Sequence, residues 1–166
     1  MVNGACEYLV KPVTRAQFQS TIEKVQHLIL PNLSAGMKEN LTDATTPLIL
    51  LAEDNQANID TMSGYLESRG YRLLLAKNGQ QAIDFAQSQR PNLIVMDIQM
   101  PVMDGLEAMR RIREQPELLH VPIIALTALA MSGDRELCLA AGANEYLTKP
   151  VKLKQLAIAI QQLLAK

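Results

Sequence analysis

Five polar side chains stand where apolar runs come to a stop. "LILLA" (48–52) is followed by Glu53 and Asp54, "NLIVMD" (92–97) ends on Asp97, "VPIIALTA" (121–128) carries Thr127 near its end, and Lys149 follows "NEYLT" (144–148). Brought together, three carboxylates, a hydroxyl and an ammonium could do a definite kind of chemistry. Clustered carboxylates repel, so either some protonate or a cation binds among them. A hard divalent ion with oxygen ligands suits such a set, and Mg²⁺ is the natural candidate because it also holds phosphate oxygens. A carboxylate beside Mg²⁺ and a lysine could attack a phosphoryl group without prohibitive repulsion. Thr127 and Lys149 would then bind the oxygens over which the charge spreads.

The elements that would gather these residues can be read from the apolar pattern. The runs "LILLA", "LIVM" and "PIIAL" are apolar at consecutive positions, as in strands covered on both faces. "YRLLLA" (71–76) and "NEYLT" (144–148) complete a set of five strands. Between them apolar residues recur at helical spacing: Ile59, Met62 and Leu66, stopped by Gly70; Ala82, Ile83 and Ala86, ending before Pro91; Leu106, Met109 and Ile112; residues 131–141 up to Gly142; and Leu153, Leu156, Ile160 and Leu163. Asn78-Gly79 reads as a turn, and Asp104-Gly105 as the cap and turn that start the third helix. Strands alternating with helices predict a parallel sheet covered on both faces. In such a sheet ligands gather beyond the carboxyl ends of the strands, where the five polar residues lie.

Composition narrows the function classes. With 16 basic and 17 acidic residues the net charge is −1, and no basic stripe with interleaved aromatics suggests nucleic-acid binding. No apolar run approaches the roughly 18 residues of a membrane span, and nothing resembles a signal peptide, so the expected compartment is the cytoplasm. Cys6 and Cys138 lack metal-type spacing and read as reduced, small apolar residues. His27 and His120 sit in no phosphoacceptor-histidine context.

The motifs "LAEDN", "VMDIQMPVMDG", "ALTA" and "YLTKP", in that order and at those separations, resemble the receiver domains of two-component response regulators over residues 48–166. The resemblance implies a flavodoxin-like (βα)5 fold, a doubly wound parallel sheet in strand order 2-1-3-4-5. It implies that Asp97 is the phosphoacceptor, taking a phosphoryl group from a histidine kinase or a histidine phosphotransfer domain with Mg²⁺ assistance. Asp54 would be the main acidic metal ligand, Glu53 a helper, and the Gln99 carbonyl a further metal oxygen. Thr127 would be the switch hydroxyl, Tyr146 the switch aromatic and Lys149 the phosphate-sensing cation. Pro150 would follow a cis peptide bond that aims Lys149 inward. Thr127 and Tyr146 would pass the change to the face of the fourth helix, fifth strand and fifth helix. Gln99 and Leu129 would flank the route of an attacking water. Leu129 cannot orient one, so slow self-dephosphorylation is expected.

A repeat adds to this reading. Residues 4–13 and 142–151 agree at eight of ten positions, differing only at Cys6/Asn144 and Val10/Thr148. Lys11-Pro12 matches Lys149-Pro150, and Tyr8 matches Tyr146. Downstream of this copy Phe18, Ile22, Val25 and Ile29 share one helical face. Residues 1–30 are therefore expected to be the closing strand and helix of a preceding receiver, without acidic site of its own. Residues 31–47, polar and rich in Gly, Ser, Thr and Asn, read as a linker. The expectation is a piece of a longer chain with tandem receivers, as in hybrid histidine kinases, with no output domain after the last helix. The stripe on residues 18–29 needs a surface to cover it, which makes a homodimer through that helix an expectation beside one through the fourth-helix, fifth-strand, fifth-helix face.

Three other readings compete. A phosphate-independent interaction module on the same fold would leave a cluster of carboxylates idle. A flavin carrier or small-molecule enzyme on this fold would want a Gly/Ser/Thr-rich phosphate loop after the first strand, where this chain has Glu53-Asp54-Asn55. A phosphatase of the dehalogenase type would carry an Asp-x-Asp pattern there, and it is absent. Tyr146 also has a plainer reading, as a half-buried strand tyrosine.

Overall fold

When a strand is apolar at every position, only the pleat sorts its side chains, sending successive residues to opposite faces. A computed structural model, which describes residues 46–128 and 133–165, shows this sorting throughout. The strands are β1 (Leu48–Ala52), β2 (Arg72–Ala76), β3 (Leu93–Asp97), β4 (Ile123–Thr127) and β5 (Glu145–Thr148). All neighbours pair in parallel, in the order β2-β1-β3-β4-β5 that the sequence resemblance implied. Ile49, Leu51, Leu93, Val95, Ile124 and Leu126 pack into one core, and Leu50, Ala52, Ile94, Met96, Ile123 and Ala125 into the other.

Helices cover both cores. The helices α1 (Gln56–Ser68) and α5 (Leu153–Leu164) bring Met62, Leu66, Leu156 and Ile160 to the first face. The second is covered by α2 (Gly79–Gln89), α3 (Gly105–Arg113) and α4 (Asp134–Ala140), with Ala82, Ala86, Met109, Ile112 and Cys138 buried there. Cys138 is a free thiol in this core, and burial raises its pKa. At roughly 1.5–3 kcal/mol for each large apolar side chain removed from water, these two layers supply the main stabilisation. Among the described residues no helix is long and apolar enough to cross a membrane.

The element boundaries differ from the sequence reading by small, explicable amounts. Tyr71 stays outside β2 because its N–H donates to the Leu66 carbonyl, closing the end of α1 with Gly70 at φ 85°. Asn92 precedes β3 and is tied to the start of β1 by two bonds, its N–H donating to the Leu48 carbonyl and its side-chain oxygen accepting the Leu48 N–H, both at 2.7 Å. Gly79, expected in a turn, is the first residue of α2, with Asn78 capping through a bond from the Gln81 N–H. Asp104 caps α3 as expected, accepting the Glu107 N–H at 2.8 Å. The expected upstream strand and helix (1–30), all but the last residues of the linker, and Leu129 lie outside the described residues.

Candidate functional site

The loop after β1 is tied down before it carries any chemistry. Asn55 caps α1, its Oδ1 accepting the Ala57 and Asn58 N–H groups, and its own N–H donates to Glu53 Oε1 at 3.1 Å. Glu53 is fully buried, and its N–H continues the sheet by donating to the Ala76 carbonyl. Asp54 is exposed at the mouth. Asp97, 2% exposed, ends β3, and its Oδ1 accepts the Gln99 N–H at 3.1 Å. The start of α3 is drawn tightly against that strand end, since Gly105 donates to the Ile98 carbonyl and any Cβ at 105 would collide with the Asp97 backbone. This Gly is required by close approach, a demand the sequence signals only as the second half of Asp-Gly.

Lys149 joins the set across the sheet. Its Nζ donates to Glu53 Oε2 at 2.8 Å and to Asp97 Oδ2 at 2.7 Å. Its backbone N–H donates to the Thr127 carbonyl at 2.7 Å, which registers the end of β5 against the end of β4. The Lys149–Pro150 peptide is cis. Thr127, 3% exposed, ends β4, next to the central strand β3. Tyr146 is half-buried on β5, packs against the α2–α3–α4 core, and lies under the Arg135 guanidinium, 5.9 Å from its ring centre. Glu53, Asp54, Asp97 and Lys149 are therefore gathered in one place, and Thr127 stands at the same rim.

Electrostatics leave the cluster short of positive charge. Among the described residues, one oxygen from each of Glu53, Asp54 and Asp97 lies within 4.8 Å of the other two, and Lys149 is the cation paired with them. Burial pushes the Asp97 carboxyl above its usual value, and Glu53 adds to this, while the Lys149 hydrogen bond and charge pull the other way without overcoming it. Burial also works against the Lys149 charge, yet the hydrogen bonds to Asp97 and Glu53 outweigh it and hold the ammonium above its usual value. An all-oxygen donor set with unneutralised charge fits a hard divalent cation, whose octahedral shell spans about 4.2 Å at Mg²⁺–oxygen distances.

The family model for the response regulator receiver domain matches residues 49–161. The polar-differentiation response regulator DivK of Brucella anthropi is 37% identical over 116 residues, covering 70% of this chain and 94% of that protein. The receiver domain of a Pseudomonas aeruginosa sensor histidine kinase, whose crystal structure has a magnesium ion coordinated in the active-site cleft, is 46% identical, with TM-score 0.69 over 73% of this chain and 99% of that one. The receiver domain of a Syntrophus aciditrophicus signal transduction histidine kinase is 36% identical, with TM-score 0.68 over 72% of this chain and 91% of that one.

Proposed function

Because the chain belongs to the response regulator receiver family, a family of signalling proteins rather than classical enzymes, we propose that Asp97 is the phosphoacceptor of a phosphorelay. The observation that carries this reading is the Lys149 ammonium held between Asp97 and Glu53, inside a cluster of three carboxylates. A phosphoryl group arrives on a donor histidine; an Asp97 Oδ attacks phosphorus, the P–N bond breaks, and the imidazole leaves with its electron pair and takes up a proton. Lys149 moves from balancing a carboxylate to balancing the phosphoryl oxygens, and the Thr127 hydroxyl donates to another of them. Glu53, Asp54, Asp97 and the Gln99 carbonyl would hold Mg²⁺, which when bound supplies the charge neutralisation and oxygen ligation that the carboxylates lack.

The same reading extends to the switch and its lifetime. Thr127 and Tyr146 carry the change to the α4–β5–α5 face as a population shift between two states. Gln99 and Leu129 would flank the route of an attacking water, and a leucine cannot orient one, so the chain's own dephosphorylation would be slow; a half-life of seconds would overturn this. In the proposed organisation, residues 48–166 form the receiver, 31–47 a linker and 1–30 the closing unit of another receiver, as the eight-of-ten repeat supports. Its setting would be a hybrid histidine kinase in the cytoplasm, touching neither nucleic acid nor membrane through this segment. A homodimer through the helix of residues 18–29 or the α4–β5–α5 face completes the proposal. Light scattering with and without residues 1–34 tests the first dimer.

The decisive experiment is labelling by acetyl phosphate and Mg²⁺. The wild type is expected to gain an alkali-labile phosphoryl group and Asp97→Asn to gain none. An unlabelled wild type would leave the interaction-module reading in its place.

A further inference from the structure

The two edges of the sheet are finished differently. β5 opens on Glu145, whose carboxylate folds back to accept the Tyr146 N–H at 3.0 Å and puts charge on that edge. β2, at the opposite edge, reads Arg-Leu-Leu-Leu-Ala, with no lysine, proline or bulge to blunt it. Leu75 is 44% exposed, and Leu73 and Leu74 are half-buried. The parallel ladder decides which backbone groups are spare. The Arg72 N–H donates to the Pro47 carbonyl and the Ala76 carbonyl accepts the Glu53 N–H, so Arg72, Leu74 and Ala76 turn their polar groups to β1. Leu73 and Leu75 turn theirs outward. The spare run stops there on both sides, because the Leu66 carbonyl takes the Tyr71 N–H and the Gln81 side chain takes the Lys77 N–H at 2.9 Å.

We infer that the β2 edge pairs with the β2 edge of a second copy of this chain, antiparallel about a two-fold axis through Leu74. The spare groups set the register. All of them find partners only with Leu73 opposite Leu75 of the second copy, an arrangement in which both such pairs exchange two hydrogen bonds. The side chains suit this register. On the α1–α5 face each exposed Leu75, which stands beside Leu51, gains Leu73 of the second copy as its other neighbour. On the opposite face Leu74 meets its own counterpart at the closer spacing, and Arg72 faces the small Ala76. Like charges stay apart. The two Arg72 residues are offset by about 13 Å along the strands, beyond the Debye length at physiological salt, and Lys77 is drawn back to Gln56 Oε1 at 3.3 Å. An edge that pairs with itself closes at two copies instead of growing into a fibre. The ladder is only about 17 Å long and buries less than the roughly 800 Å² per partner of a stable interface, so the pairing is weak and concentration-dependent. It uses the edge of the sheet remote from the α4–β5–α5 face. The antiparallel arrangement also points the carboxyl-end rims of the two copies in opposite directions, which leaves both Asp97 sites open.

Sedimentation velocity of the full chain from about 10 µM to about 1 mM reads the association. The wild type should move from monomer toward dimer over that range. Leu75→Lys, which sets two ammonium groups into the apolar row of each dimer, should shift the midpoint concentration upward by about tenfold or more. Its unfolding midpoint should stay within about 2 °C of wild type, because the side chain stands on an edge, and its labelling by acetyl phosphate should be unchanged. If lysine lowers the midpoint further, Leu75→Thr keeps strand propensity and should still shift the association about threefold. Disulfide trapping in a Cys6→Ser background reads the register. Leu74→Cys should give a covalent dimer, whereas Leu73→Cys should not, since its own counterpart lies about 8 Å away, beyond disulfide reach. A wild type that is monomeric at the highest concentration would overturn the inference and leave the edge to a different extended partner. A dimer equally strong in both Leu75 variants would overturn it too, by placing the contact on another face. So would trapping of Leu73→Cys as readily as of a folded Leu74→Cys.

Discussion

Two cations sit at opposite ends of one sheet, and the fold treats them in opposite ways. Beneath the amino ends of the strands, Arg113 donates from Nε to the Gly142 carbonyl at 2.9 Å, from Nη1 to the carbonyls of Leu118, Leu119 and Val121, and from Nη2 to Asn144 Oδ1 at 2.9 Å. These acceptors are all neutral, and burial holds the guanidinium below its usual pKa. Beyond the carboxyl ends, Lys149 meets two buried carboxylates with a third close by, and its pKa is raised. One end distributes a single charge over carbonyl dipoles and ties α3, β4 and the approach to β5 together. The other concentrates charge that one lysine does not neutralise. The first arrangement is complete without a ligand, and the second has charge left over for one.

The sharpest break in this comparison comes from Lys149→Ala. If Lys149 stabilises the phosphoryl oxygens, its loss should slow labelling by acetyl phosphate about 10²–10³-fold, on the order of 3–4 kcal/mol of transition-state stabilisation. A fall of less than about fivefold would make Lys149 a structural pair like its counterpart.

Arg113→Met is the reciprocal variant. It removes five hydrogen bonds, leaves partly buried carbonyls without a donor, and keeps the stem's packing. The expected loss is about 2–3 kcal/mol in urea unfolding, with the labelling rate of the folded fraction unchanged. A variant that stays as stable as wild type, or one that folds but does not label, would show that the two ends are not separable.

These two cations were not equally legible in the sequence. Lys149 could be read because its partners end apolar strands as Glu53 and Asp97, and a lysine before proline after a short strand is itself a signal. Arg113 was invisible. Four of its partners are backbone carbonyls, which every residue has, the fifth is the Asn144 side chain, and they are 5 to 31 positions away. The same distinction runs through the rest of the molecule. The strands were legible because consecutive apolar residues report burial on both faces, whereas their ends at Tyr71 and Asn92 depend on hydrogen bonds to other elements. Asp104 was readable as a cap by residue type, but nothing in "PVMDG" announces that Val102 turns left-handed, because that conformation follows from the bonds across Met103.

A smaller effect tests the claim that one end awaits a ligand. Mg²⁺ at ten times its dissociation constant should stabilise the wild type by about 1.4 kcal/mol relative to EDTA, read as a rise in unfolding midpoint. Asp54→Ala should lose most of that response, since Asp54 is the exposed oxygen donor of the cluster. Arg113→Met should keep the response in full from its lower starting point. A Mg²⁺ response equal in Asp54→Ala and wild type would place the ion elsewhere.

The smallest effect asks what happens when the closed end is given a carboxylate. Asn144 Oδ1 accepts both the Arg113 Nη2 and the Ile123 N–H, the latter at 2.8 Å. Asn144→Asp keeps the shape, makes the Ile123 bond charge-assisted and turns the Arg113 bond, already charge-assisted, into an ion pair, and both are strengthened. The residue is exposed, so water and salt screen most of the gain, leaving about 0.5 kcal/mol of added stability at low ionic strength that fades by 1 M salt. The pair would then resemble Lys149 and Asp97 in kind, yet it should bind no Mg²⁺ and take no phosphoryl group, because one carboxylate with one cation leaves no charge uncompensated. A destabilised Asn144→Asp would mean that Arg113 depends on neutral acceptors in a way that hydrogen-bond strength does not explain. Unchanged stability at both salt levels would mean that Asn144 is a bystander to the carbonyl network.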